Sequence, residues 1–206
     1  MKKPLIFLVL LFSCKMIAQS DPKVAFQKTR YELAISYYNK ADFVKALDLF
    51  SIASKIKPEN ELGKESIKKV DTLKNMLRKD IMQKVIGTWK MNGDKPLWSV
   101  DAASNASAKT VEEFVEINQS QILFYETDTK TKVKKLIKSE DLKYYNKELC
   151  DALFSAIILS DGTIWNCSLN EDGDILHVIN IAKQTEKNGL EKIKADNLER
   201  FYSKVK

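Results

Sequence analysis

The chain has 206 residues, with 34 lysines and arginines against 28 aspartates and glutamates, a formal net charge of +6. One histidine, six glycines and three cysteines leave no material for a His-based zinc site, a Ser-His-Asp triad or a Gly-rich phosphate loop. The positive excess is modest and lacks a dense basic block with interleaved aromatics, which excludes an obvious nucleic-acid binder.

The first twenty residues, "MKKPLIFLVLLFSCKMIAQS", have a basic start and an apolar run from Pro4 to Ser13. That run is too short for a bilayer, which needs roughly 20 apolar residues, and it matches a secretory signal peptide. Two processing routes stay open. Cleavage after Ala18 removes residues 1–18 and releases a periplasmic or secreted chain. Alternatively, Leu11-Phe12-Ser13-Cys14 resembles a bacterial lipobox, which would lipidate Cys14 and anchor the protein at a membrane. Without the leader's Lys2, Lys3 and Lys15, the net charge falls to +3. The excess then sits in residues 19–84, with 14 basic and 9 acidic side chains, against 17 and 19 from Val85 onward. A charge excess spread along helices reads as a solvated face.

Helical periodicity runs over residues 25–83. The stretch "YELAISYYNKADFVKALDLFSIASKIKPEN" resembles a tetratricopeptide repeat over residues 27–60. With Pro58 as its terminal proline, Leu33, Ala34 and Tyr37 fall at the packing positions of a first helix. Ala46, Phe50 and Ala53 fall at those of a second. Small alanines let paired helices approach while Tyr37 and Phe50 fill the space between them. Asp42 is suited to cap the second helix, and Pro58 to end it. Arg30 departs from the large apolar residue usual in the family. Residues 61–83 supply a third helix, with Ile67, Val70, Leu73, Leu77 and Ile81 at three- and four-residue steps. It reads as a cap over the single repeat, or equally as a helical cap for the second domain.

From Val85 the pattern changes to alternation. "GTWKMNG" opens as a strand, and Ser99 to Lys109 reads as a loop. "TVEEFVEI", "QILFYETD" and "TKVKKLIK" read as three strands, while residues 141–154 are ambiguous, since Leu142, Tyr145 and Leu149 also fit a short helix. Asp-Gly pairs at 161–162 and 172–173 signal two hairpins, and "GLEKIKADNLERFYSKV" supplies a closing strand. Two-residue turns at both pairs would gather Phe154, Ala156, Ile158, Trp165, Cys167, Leu169, Leu176 and Val178 on one face, a core. The other face would hold Ile157, Ile164, Ile175 and Ile179 beside His177, and a face that apolar needs a cover, which the helical half is expected to supply.

Gly87-x-Trp89 at the start of the first strand, followed by a meander of about eight strands, resembles the lipocalin-like (calycin) barrels. The resemblance implies that Trp89 packs across a closed barrel end with a basic residue of the last strand over its ring, a role that falls to Arg200. The expected fold is therefore α+β: a helical hairpin and third helix (19–84), then an antiparallel up-and-down β-barrel (85–206).

His177 has no partner at metal-ligand or triad spacing, no catalytic or metal site is readable, and no cofactor is implied. Cys150 and Cys167 remain after processing. Export makes a disulfide between them chemically allowed, but an extended strand leaves the pair some 20 Å apart unless residues 141–151 fold back. Two functions fit. In the first, the helices bind an unidentified protein partner and the barrel is a filled scaffold. In the second, the barrel carries a small apolar ligand against Phe154, Ile158, Trp165, Leu169, Leu176 and Val178. Membrane association follows only from lipidation at Cys14.

Overall fold

The computed structural model describes residues 21–93, 110–146, 151–185, 189–193 and 198–205. The leader with Cys14, the Ser99–Lys109 loop and Cys150 lie outside these residues. The chain is α+β: helices α1 (Pro22–Asn39), α2 (Phe43–Ile56) and α3 (Glu61–Val85) precede a nine-stranded antiparallel sheet. It divides into two compact units, Met1–Asn75 and Met76–Lys206. The division falls inside α3 rather than at its end, because Ile81, Met82 and Val85 belong to the core of the sheet.

In the first unit, Asp21 caps α1 by accepting from Lys23 N, with Pro22 at the first helical position where its missing N–H costs nothing. Asp42 caps α2 as its position suggests, accepting from Lys45 N at 3.3 Å. Ala34, Ala46, Phe50 and Ala53 are fully buried, and the edge of Tyr31 meets the ring of Phe50. Tyr37 is half-buried beneath the ammonium groups of Lys40 and Lys45, and Pro58 lies exposed just past the end of α2. Leu33 departs from its expected packing role and is 39% exposed. It shares a face of α1 with Phe26 and Arg30, one turn apart each.

The unit is locked by a polar hub. The fully buried amide of Gln27 donates to Ala53 O (2.9 Å) and Lys57 O (3.1 Å), and its oxygen accepts from Asn60 Nδ2 (2.6 Å). Asn60 in turn accepts from Gly63 N, so one side chain satisfies the end of α2 and orients the cap of α3. Gly63 is required by approach: a Cβ there would lie 2.1 Å from Lys57 O. In α3, Ser66, Val70 and Leu73 turn inward while Ile67 is 42% exposed.

In the second unit the strands are β1 (Gly87–Gly93), β2 (Val111–Ile117), β3 (Gln121–Asp128), β4 (Lys134–Asp141), β5 (Ile157–Ile158), β6 (Thr163–Leu169), β7 (Ile175–Thr185), β8 (Gly189–Glu191) and β9 (Glu199–Lys204). The order β4-β3-β2-β1-β9-β7-β6-β5, with β8 on β7, is a meander in which the last strand pairs with the first. Among the described residues, no ladder joins β4 to β5. The chain past β4 stitches this seam: Tyr144 bridges Ile157, Ile158 N donates to Lys143 O, and Tyr145 N donates to Ala156 O. Residues 142–145 are thus extended, and the only helical turn described in the ambiguous segment is a 3-10 turn at Asp151–Leu153. The Glu140 carboxylate, 3% exposed, completes the seam by accepting from Ser160 N (2.7 Å) and Ser160 Oγ (2.8 Å).

The two Asp-Gly hairpins differ by one residue, and that residue decides what faces inward. At the first, Leu159 N donates to Thr163 O and Gly162 N to Leu159 O, a three-residue loop with Gly162 at φ +83°. A Cβ on Gly162 would lie 2.1 Å from Gln184 O. Ile157 consequently pairs with Trp165, and Ile158 with Ile164. At the second, Asn170 N donates to Ile175 O around a four-residue loop, and the expected pairs Leu169–Leu176 and Cys167–Val178 are kept. An even loop preserves the face and an odd loop reverses it. Ile157 therefore turns into the core, while Ile158 and Ala156 pack outside with Ile164. The cover over the fully buried Ile164 comes from Tyr145 and Leu153, both in the segment before β5.

Replacing Gln27 by Leu strands two carbonyls and one amide, and is expected to cost about 2–4 kcal/mol in chemical denaturation. Burial alone would raise the Glu140 pKa, but the Lys138 ammonium and the Ser160 donors outweigh it and hold it below the ordinary value of 4.5. A depressed native pKa contributes stability in full above the unfolded value and loses it as pH falls through the native one. Glu140→Gln is accordingly expected to lower stability at neutral pH and to flatten its decline below about pH 4.5, read from denaturation midpoints across that range.

Candidate functional site

The interior of the second unit has a closed end, a packed middle and an open mouth. At the closed end, Gly87 turns the chain from α3 into β1 at φ +136°, a conformation that suits glycine. Trp89, fully buried, then donates from Nε1 to Val85 O at 2.7 Å. Lys204 of β9 lies over the Trp89 ring, 5.2 Å from its centroid, and donates to Lys84 O at 2.8 Å. The cation over the tryptophan is therefore Lys204 and not Arg200. Arg200 sits four residues earlier on the strand, which places it near the opposite end, opposite Val178 and beside Tyr202. Ile81, Met82 and Val85 project from α3 into the same core. Arg78 ties the helix down, with Nε donating to Phe154 O, Nη2 donating to Asn146 and the guanidinium over the Tyr144 ring.

The middle holds a cavity of about 40 Å³ with an almost wholly apolar lining. At roughly 10–15 Å³ per water, this is room for about three waters, far below the ~300–1,000 Å³ of ligand pockets. Of the side chains expected to line the interior, Trp165, Leu176 and Val178 do so, and Leu169 packs against the same core. Ile158 does not, because the odd loop turns it outward. Phe154 does not either; it lies half-buried in the turn before β5 with its carbonyl bound to Arg78. Their places are taken by Ile157, Val115, Ile117, Ile122 and Tyr202.

Above Trp165 the mouth opens into a cleft of about 260 Å³. Trp165, Val115 and Tyr202 border both spaces and form the floor between them. Phe124 braces Trp165 edge-on, with ring centroids 5.6 Å apart. The rim is charged: Glu113 and Glu126 face each other across β2 and β3, with Lys138 and Arg200 on other strands. Burial raises the Tyr202 pKa, against a smaller lowering effect of Arg200. Mixed signs make the cleft a polar-rimmed aromatic hollow rather than a field for one charge.

Reactive groups are few. Cys167 is a free thiol that burial pushes up to about 12, so it stays protonated and weakly nucleophilic at neutral pH. Its proposed bridge partner, Cys150, is outside the described residues. His177 stacks on Phe201 at 4.3 Å and meets Glu199 at 3.1 Å on the neighbouring strand. That pair arises from the β7–β9 register, which spacing along the chain does not disclose. Among the described residues, no cluster of three or more His, Cys, Asp or Glu could hold a metal. Comparison with family models, curated proteins and solved structures finds no match.

Lys204→Met removes both the ring contact and a helix-end donor, and is expected to cost about 1–2 kcal/mol. Arg200→Met should change stability by no more than about 0.5 kcal/mol. Thermal or urea denaturation of the two variants separates the roles.

Proposed function

We propose that this chain is an exported, non-enzymatic binding module of the cell envelope. Its tetratricopeptide-like helices engage a partner protein, and its lipocalin-like sheet domain is a packed scaffold. The observation that carries this reading is the filled interior: about 40 Å³ of void cannot house even a small lipophile. The helical unit supports it from the other side. Phe26, Leu33, Val44, Ile52 and Ile67 are each 39–46% exposed there, which leaves large apolar side chains within reach of a partner. The leader supports export, by cleavage after Ala18 or lipidation at Cys14. No helix among the described residues is long and apolar enough to cross a membrane.

A second reading is favoured by the mouth cleft. A small amphipathic molecule would place an apolar part on Phe124 and Trp165 and a polar part among the rim charges.

One experiment decides between them. A photo-crosslinking residue at Leu33 or Ile52, in cells, is expected to yield an adduct of defined mass that disappears when Phe26 is changed to Glu. A solvatochromic lipophilic probe should leave the fluorescence of the purified protein unchanged. Saturable one-to-one probe binding that is lost in Trp165→Phe, with no crosslinked adduct, would overturn the module reading in favour of the ligand.

A further inference from the structure

The outer end of the sheet carries a strand whose chemistry the packed core does not explain. Every residue of β4 from Lys134 to Ser139 is exposed, although the strand pairs with β3 on both sides of a register shift at Ile137. Its other edge faces the seam, which is stitched at the end of β4 by the Glu140 carboxylate and beyond it through Lys143–Tyr145. Among the described residues, no backbone group outside β3 bonds to Lys134–Ser139. Among the described residues the strand thus offers a row of unpaired N–H and C=O groups, a template for a further strand.

The side chains on this edge are unusual in combination. Val133, Leu136 and Ile137 are 63%, 50% and 48% exposed. Lysines 130, 132, 134, 135 and 138 surround them, with no acid in that stretch. Acidic neighbours answer part of this charge: Glu116 on β2 meets Lys134 at 3.6 Å, Glu140 of β4 itself pairs with Lys138, Glu126 on β3 lies opposite Lys135, and Asp128 and Glu112 lie near Lys132. Leu136 lies opposite Tyr125, and Ile137 borders the mouth cleft, so the exposed apolar groups do not share one face.

We propose that the free edge of β4 is a strand-addition site for an extended acidic segment of a partner protein. Main-chain bonds to Lys134–Ser139 would supply binding, and acidic side chains alternating with apolar ones would meet the lysines and Leu136. A second copy of this chain fits poorly. Antiparallel pairing centred on Leu136 sets Lys134 of one copy against Lys138 of the other, a like-charge arrangement that destabilises a ladder. An anionic lipid surface matches the charge but leaves the edge amides and carbonyls unsatisfied, and it has no single apolar face to receive. This site is independent of the helical surface proposed above.

The test uses the intact protein and a synthetic peptide of alternating valine and glutamate. Fluorescence anisotropy should give saturable binding, and hydrogen exchange should slow at the amides of Lys134–Ser139. Binding should weaken about threefold in Lys135→Gln, the loss expected for one attractive cross-strand pair on the face opposite Leu136. The same peptide N-methylated at alternate residues should not bind, since it lacks the donors on one edge. Equal binding of the methylated peptide would reduce the site to charge attraction and overturn the proposal. Absence of binding, protection elsewhere in the sheet, or binding only to vesicles containing phosphatidylglycerol would overturn it as well.

Discussion

The second unit depends on how one helix ends. A helix leaves its last carbonyls without internal partners. Here Val85 O is taken by the Trp89 indole and Lys84 O by the Lys204 ammonium. Both donors come from the sheet, one from its first strand and one from its last. The same Lys204 lies over the ring that Trp89 presents. Termination of α3, packing of the closed end and pairing of β1 with β9 are thus a single arrangement. Gly87 is the hinge residue that allows a strand to begin within two residues of the helix it caps. The tripeptide Gly-Thr-Trp is this joint written in sequence.

From that end the core builds upward in a regular way. Val85, Trp89, Val115, Ile122, Leu176, Val178 and Tyr202 are all under 9% exposed, and fully burying a large apolar side chain is worth roughly 1.5–3 kcal/mol. Dense filling below Trp165 gives way above it to Glu113, Glu126, Lys138 and Arg200. The sheet is therefore apolar where it meets the helix and polar where it meets solvent. Its least supported joint, the β4–β5 seam, leans on one bridge, a few main-chain bonds and a buried carboxylate.

Much of this was legible in the chain alone. Alanines at 34, 46 and 53 with Phe50 specify a close helix pair through size and spacing, and the strands at 111–117, 121–128 and 163–169 follow from alternation and turn residues. The aromatic at the closed end was legible too, but its cation was not. Choosing Lys204 over Arg200 requires knowing how far β9 slides along β1, a register set by tertiary packing. Leu33 was misplaced because periodicity tells which residues share a face, not whether another element covers that face. Gln27 gave no signal, since a glutamine near a helix start looks solvated until its partners, 26 to 33 residues on, are folded beside it. Ile158 and Phe154 were assigned inward on the premise of a two-residue turn, when the turn holds three.

That last difference reaches beyond one hairpin. Because side chains alternate, the loop Ser160–Gly162 acts as a parity bit for everything on its N-terminal side. Exchanging Ser160 would cost the buried Glu140 one donor, but loss of a single position would do more: it would turn β5 inside out, exposing Ile157 and Leu159 and sending Ile158 toward the cavity. The loop at Glu171–Asp174 obeys the same arithmetic but can shorten by two and keep its sense. Within this fold, insertions and deletions are therefore filtered by whether their length is odd or even, and the chain's evolutionary freedom at its turns is counted in pairs.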